Sequence, residues 1–364
     1  MIPIYQPHQF PQSVEYAKKA IDSNWISSQG EYLDSCKETF KDKFSYKYVI
    51  FTSNGTTACH LMAEGLKFKY PNVKNIIVPN NVYVAAWNTL KMSTDYNFVF
   101  VEPDLETWNA DYSKLESCDP QDTAFLIVHN VGNVINVPKL KKRFPGFVFL
   151  EDACEGLMGK YENQHTGSAS WLSAFSFFGN KNLTSGEGGV LVTEDEEIFQ
   201  YLNSIKNQGS GGNTRYVFER LGYNYRMTNI QAAILQGQLE NLSYIEKQKN
   251  RVFSKYTEEL TTLINRGKID IQKREEGTQH ANWIFAFECI ACPKAELEMA
   301  LFNNEIQTRP MFPPVSYHGH YSHIKTETKN AKHLYESCLM LPSYPDLTDN
   351  QINFICDKIK NTCK

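Results

Sequence analysis

The chain has 364 residues, 41% of them hydrophobic and 21% charged, and a formal charge of −4, so it lacks the basic face that nucleic acid or an anionic membrane would require. No run nears the ~18 apolar residues of a membrane span, and Met1 to Phe10 has no basic lead into an apolar stretch, so no membrane segment or secretion signal is read. The nine cysteines are scattered and odd in number, which predicts reduced thiols in a cytoplasmic protein.

From about residue 46 to 200, short apolar runs alternate with helical patterns. The runs are Tyr48–Thr52, Asn75–Pro79, Phe98–Val101, Ala124–His129, Phe147–Leu150, Ala174–Phe178 and Gly189–Val192. They are rich in Val, Ile and Phe and continuously apolar, as suits strands buried on both faces of a mostly parallel sheet. The segments between them, such as Thr57–Lys67 and the stretch from Lys114 through Glu116, leave room for crossover helices. Asn229 to Arg251 reads as one long helical stretch leading into a second unit. That unit mixes strand-like Trp283–Cys289, helical Ala295–Asn303 and a final helix around Gln351–Lys360. The expected division is a large domain over 1–240 and a small C-terminal α+β domain over 241–364.

Chemistry in open α/β sheets collects past the carboxyl ends of strands. Four polar clusters stand out. Thr52-Ser53-Asn54-Gly55-Thr56-Thr57-Ala58 is a strand end, a glycine turn and a helix start. Alone it reads first as a helix cap, but its free amides and hydroxyls also suit a phosphate. Glu151-Asp152-Ala153-Cys154-Glu155 puts two acids directly after a buried strand. Either could cap a helix, or a buried Asp could keep a cofactor's ring nitrogen protonated. Lys181 sits in a loop after Phe177-Phe178, followed by Gly186, Gly188 and Gly189. Loop lysines are ordinarily solvated, yet apolar flanks would desolvate this one, lower its pKa and make it a usable nucleophile. Gly222-Tyr223-Asn224-Tyr225-Arg226-Met227-Thr228 brings an amide and an Arg to a helix start.

Neither G-x-x-x-x-G-K-[S/T] nor a strand-turn-helix G-x-G-x-x-G occurs, so nothing supports a P-loop or a dinucleotide site. Cys289 and Cys292 form a C-x-x-C without the second pair a zinc ribbon needs, and His318, His320 and His323 read as a surface loop, so no metal is expected. A phosphate cradle, a strand-end Asp and a desolvated Lys are together what pyridoxal 5′-phosphate (PLP) requires.

On Lys181-Asn182-Leu183-Thr184-x-Gly186-Glu187-Gly188-Gly189, Glu151 to Glu155, Ser53 to Ala58, Ile2 to Tyr5, Trp25 to Gly30, Gly222 to Thr228, Thr308-Arg309-Pro310 and Leu341 to Thr348, the chain resembles the DegT/DnrJ/EryC1/StrS sugar aminotransferases over nearly its full length. The resemblance implies PLP fold type I, like aspartate aminotransferase. It implies that Lys181 is the Schiff-base lysine, that Asp152 faces the pyridine nitrogen and that Glu155 stands near the ring hydroxyl. It assigns the cofactor phosphate to Gly55, Thr56 and Ser176, with Asn224 reaching it across a homodimer interface so that two copies share each site. It makes Tyr83 the aromatic on the ring, and places Trp25, Ser27, Ser28 and Arg309 against the sugar nucleotide. The chain departs from the family pattern at His129-Asn130-Val131-Gly132, Lys206-Asn207-Gln208-Gly209 and Trp87. Relatives with His in place of the lysine are dehydratases, so Lys181 favours transamination. The implied reaction moves the amino group of L-glutamate to C4 of a nucleotide-linked 4-keto-6-deoxy sugar, as in perosamine synthases. A C3 aminotransferase, a non-catalytic PLP-binding regulator and a nucleotide-binding domain without PLP are the competing readings.

Overall fold

The computed structural model describes residues 1–115, 118–211, 214 and 216–363. Its helices are α1 (Pro11–Asp22), α2 (Glu31–Phe44), α3 (Gly55–Lys69), α4 (Ala85–Ser93), α5 (Val137–Arg143), α6 (Glu196–Lys206), α7 (Asn229–Glu240), α8 (Leu242–Asn265), α9 (Lys294–Asn303), α10 (Lys329–Ser337) and α11 (Asp349–Thr362). The large sheet uses β1 (Tyr48–Thr52), β2 (Asn75–Pro79), β3 (Asn97–Val101), β4 (Thr123–Val128), β5 (Val148–Asp152), β8 (Leu172–Ser176) and β9 (Gly189–Thr193). A short three-stranded sheet joins β6 (Lys160–Tyr161) to β7 (Gln164–His165) and β11 (Thr278–Gln279). An antiparallel four-stranded sheet joins β10 (Ile269–Asp270), β12 (Ala286–Cys289), β13 (Arg309–Pro310) and β14 (Cys338–Met340).

The seven strands lie in the order β1-β9-β8-β5-β4-β2-β3. Within this sheet β9 alone runs against its neighbours, so the carboxyl ends of the other six gather on one edge. Successive side chains of a strand point to opposite faces. Ile50 and Leu191 therefore join one core with α3, α4 and α6, while Val49, Phe51, Val190 and Val192 join another with α1, α2 and α7. Both faces are covered by helices, which is why these strands read as unbroken apolar runs. The expected α/β class, with a mostly parallel mixed sheet and a smaller C-terminal α+β part, holds.

The C-terminal sheet carries its own apolar core, built from Phe253, Tyr256 and Leu260 of α8, Leu297 and Leu301 of α9, and Ile352, Ile355 and Ile359 of α11. The first residues of the chain cross to it: Ile2 bridges Ile306.

Several expectations change. The helical stretch Asn229–Arg251 is two helices, broken at Asn241, whose side-chain amide caps the carbonyl of Gly237 at 2.8 Å. Trp283 precedes the strand it was expected to start. Among the described residues, no strand of the sheet leads directly into the segment Gly222–Thr228; Asn224 bridges Asn207 instead. Thr57–Lys67 falls within α3, whereas the stretch from Lys114 contributes only the end of a 3₁₀ turn, Tyr112–Lys114, and residues 116 and 117 lie outside the described residues. One cysteine pair is not reduced: Cys292 and Cys363 form a disulfide across 71 residues, because α9 and α11 pack side by side. That pairing also removes Cys292 from any C-x-x-C metal site. The His318 ring lies 5.5 Å from that of Trp87 and 6.1 Å from that of His320, which bonds Asn88.

Candidate active site

The carboxyl edge of the large sheet and β13 of the C-terminal sheet enclose a cavity of about 770 Å³. Gly55, Thr56, Tyr83, Asp152, Glu155, Ser176, Lys181 and Arg309 all line it.

Its anion-binding end is the start of α3. Asn54 caps the helix: its Oδ1 accepts the Thr57 amide at 2.9 Å, its carbonyl accepts the Ala58 amide at 3.2 Å, and its own amide donates to Thr57 Oγ1. Four first-turn amides have no helical partner. The other two, of Gly55 and Thr56, line the cavity. A Cβ on Gly55 would lie 2.6 Å from Ser176 Cβ and 2.8 Å from its Oγ. Only glycine lets the helix start close on the end of β8 and set a serine hydroxyl beside those amides, a ready site for a phosphate.

The two acids after β5 separate by strand alternation. Glu151 is fully buried on the far face, where it accepts from Ser170 Oγ at 2.7 Å, the Gly167 amide and His129 Nε2 at 2.7 Å. His129 Nδ1 accepts the Ile135 amide at 3.1 Å, so the proton sits on Nε2. Asp152 faces the cavity, buried, with its Oδ1 accepting the Cys154 amide at 3.1 Å. It is the acid available to a cationic ring nitrogen.

Glu155 stands between Val131 and Lys181. Its Oε2 accepts the Val131 amide at 2.8 Å and its Oε1 lies 3.9 Å from Lys181 Nζ. Burial pushes its carboxyl up to about 7, against the pull of Lys181 and of that amide. Val131 is held at φ 61°, a left-handed conformation that a β-branched residue adopts only under constraint. The strained backbone is what presents the amide to Glu155.

Lys181 is held from several directions. Its carbonyl accepts the Tyr5 hydroxyl at 2.8 Å, its amide donates to the Phe178 carbonyl, and its Nζ lies 4.0 Å from the centre of the Trp283 ring. Trp283 in turn donates Nε1–H to the Asn180 carbonyl at 2.8 Å. Behind it the buried Lys249 donates to the carbonyls of Trp283, at 2.7 Å, and Ser343. Tyr5, Trp283, Lys249, Cys59 and Cys154 are not among the residues that the sequence assigns to the site. Tyr5 and Cys154 lay in motifs carrying the resemblance and Trp283 in a strand-like run, while Lys249 and Cys59 gave no local signal.

Trp25, Ser27, Ser28 and Asn224 are not brought to this cavity. They form a second group at the start of α7. There the carbonyls of Trp25 and Ser27 accept from the side chain and backbone of Asn229, and Ser28 Oγ accepts from Arg226 Nε at 3.1 Å. Asn224 is exposed, as are the apolar side chains of Trp25, Ile26, Val217, Phe218 and Leu221.

A model of the DegT/DnrJ/EryC1/StrS aminotransferase family matches residues 9–360. The GDP-perosamine synthase of Escherichia coli O157:H7 is 32% identical over 362 residues, covering 98% of this chain and 97% of the relative. That of Vibrio cholerae is 32% identical over 369 residues, covering 99% of each. Among solved structures, the E. coli GDP-4-keto-6-deoxy-D-mannose-3-dehydratase with bound hydrated PLP superposes with a TM-score of 0.90 over 98% of this chain and 99% of that one. At 22% identity this speaks for the fold alone. By the extent of these matches, the chain belongs to the DegT/DnrJ/EryC1/StrS aminotransferase family.

Proposed function

We propose that the protein is a PLP-dependent aminotransferase that moves the amino group of L-glutamate to C4 of a GDP-linked 4-keto-6-deoxy sugar. The product is a 4-amino-4,6-dideoxy sugar nucleotide. One observation carries the cofactor reading: a lysine amine, a buried aspartate and an anion cradle share one cavity. The choice of C4 and of GDP is supported by the perosamine synthases to which the chain is similar along its length.

When bound, PLP supplies an electron sink for the substrate carbon and carries the amino group between two half-reactions. The residues of this chain do the rest. Gly55, Thr56 and Ser176 would bind the phosphate, Asp152 would keep the ring nitrogen protonated, Glu155 would face the ring oxygen, and Tyr83 would offer an aromatic face. Lys181 would hold the cofactor through its amine, and the same amine, when free, would be the group placed to move a proton at the substrate carbon. A lysine at this position suits transamination, since a second amine must exchange with the first. Arg309 offers a fixed cation to the anionic substrates.

The same reading makes the enzyme a homodimer with shared sites. In support, Trp25, Ser27, Ser28 and Asn224 sit together outside their own cavity, beside exposed apolar side chains that a second copy would cover. A division into 1–240 and 241–364 is supported by the separate core of α8, α9 and α11.

The test is a panel of UDP-, GDP- and dTDP-linked 4-keto-6-deoxy sugars with L-glutamate, read by mass spectrometry and NMR. Amination at C4 of the GDP sugar is expected. A product aminated at C3, or one that has lost the C3 oxygen, would overturn the assignment.

A further inference from the structure

The wall of the cavity behind Asp152 holds two side chains that transamination does not use. Cys59, on the second turn of α3, and Cys154, two residues past the end of β5, converge on the Asp152 carboxylate. Both sulfurs and a carboxylate oxygen lie within 4.8 Å of one another. Both cysteines are free thiols, and all three residues line the cavity.

Two thiols and a carboxylate with one open side form a three-ligand set that leaves a fourth position for water, the arrangement of an accessible zinc site. Magnesium and calcium demand oxygen ligands and are poorly served. Sulfur selects zinc, cadmium or similar soft cations. The ligands stand on rigid elements. Cys154 Sγ lies 3.3 Å from where a Gly55 Cβ would be, so α3 closes on the turn after β5, and Cys59, one turn further along α3, meets Cys154 and Asp152 there. The Cys154 amide bonds the carboxylate itself, which yokes two of the three ligands.

We propose that in the cofactor-free chain Cys59, Asp152 and Cys154 bind a thiophilic divalent cation such as zinc, at the place the cofactor's ring nitrogen would take, so that cation and PLP exclude each other. The inference rests on the aminotransferase reading only in taking Asp152 as the partner of that nitrogen. Binding forms two metal–sulfur bonds and one metal–oxygen bond. It releases the two thiol protons to solvent and involves no redox change, so affinity rises with pH. The PLP-loaded enzyme is protected, because Asp152 is already engaged.

The full-length chain, before and after removal of PLP, is titrated with cobalt chloride and then zinc chloride. The stripped chain should show the visible bands of tetrahedral cobalt and a thiolate-to-cobalt charge-transfer band, both abolished by zinc. It should retain one zinc per chain after gel filtration, and the PLP-loaded enzyme should not. Saturating zinc should weaken PLP uptake by about tenfold or more, read from the absorbance of bound PLP. Cys59→Ala should lose the charge-transfer band and the zinc effect while still taking up PLP. If stripped wild type binds no more metal than Cys59→Ala, or if zinc and PLP bind together without weakening each other, the proposal fails. Metal uptake that depends on Cys59 in a chain that binds no PLP would count for the metal site and against the aminotransferase reading.

Discussion

Glu155 makes the stability of this protein depend on pH in a direction opposite to that of an ordinary paired carboxylate. Its carboxyl is pushed from 4.5 up to about 7, chiefly by burial. Between those values the folded chain holds a proton that the unfolded chain has released. Folding is therefore favoured at the acid end, and the advantage is lost as pH rises through about 7. Across that interval, at ~1.36 kcal/mol per pH unit, the whole effect is roughly 3 kcal/mol. Glu155→Gln keeps the shape and an acceptor for the Val131 amide but removes the titration. Urea unfolding of the PLP-stripped chain at about pH 5 and about pH 8, at one protein concentration, isolates the difference. Relative to wild type, the variant should gain about 2–3 kcal/mol on going from the lower to the higher pH. If wild type and Glu155→Gln show the same dependence, the carboxyl is not held neutral by burial and the reasoning is wrong.

Lys181→Ala should abolish turnover with every sugar nucleotide yet still bind PLP, seen as retained cofactor after gel filtration; near-wild-type kcat would refute the role of the amine. Gly55→Ala forces a Cβ to within 2.6 Å of Ser176 and should weaken PLP binding by about tenfold or more, ~1.4 kcal/mol, in an equilibrium titration. Mixing inactive Lys181→Ala with inactive Asn224→Ala should restore about a quarter of wild-type sites, because each mixed dimer has one cavity with both residues intact; no recovery after subunit exchange would exclude sharing of Asn224. Burial lowers the Lys249 amine from 10.5 to about 7, so the folded chain binds fewer protons between those values and loses stability as pH falls through them. Lys249→Met should flatten that slope in urea unfolding compared at about pH 7 and about pH 10, gaining a few kcal/mol on wild type toward the lower pH.

The large sheet was legible because its strands are buried on both faces. No polar position interrupts Tyr48–Thr52 or Asn75–Pro79, and the observed β1 and β2 span those same residues. The limits appear where one local pattern fits two structures. An apolar helical pattern runs through Asn241, although the chain breaks there to leave the α7 layer and start α8. Trp283 is as apolar and buried as a strand residue, but the ladder pairs only from Ala286 onward. The tie between Cys292 and Cys363 depends on how α9 meets α11, which no spacing of cysteines reveals.

The same division runs through the site. Residues that act at a strand end announce themselves, since a turn, a helix start and a buried acid must follow the strand directly. Glu151 and Asp152 show how far this reaches: the sequence marks the pair, and only the strand's alternation decides which acid is consumed by His129 and Ser170 and which faces the cavity. Lys181 is the harder case. A loop lysine gains a special environment only from what closes over it, and here the closing groups are Tyr5, 176 residues away, and Trp283, whose ring nitrogen bonds Asn180 across 103 residues. The N-terminal segment and the stretch just before β12 therefore converge on one loop, so the position of this amine depends on contacts made far along the sequence. A change that loosens Lys249 from Trp283 should then disturb Lys181 without touching it. Trp25 to Ser28 and Asn224 lie beyond even that reach, because their partners belong to a second copy under the shared-site reading, and only resemblance could attach them to a cavity their own chain does not bring them to.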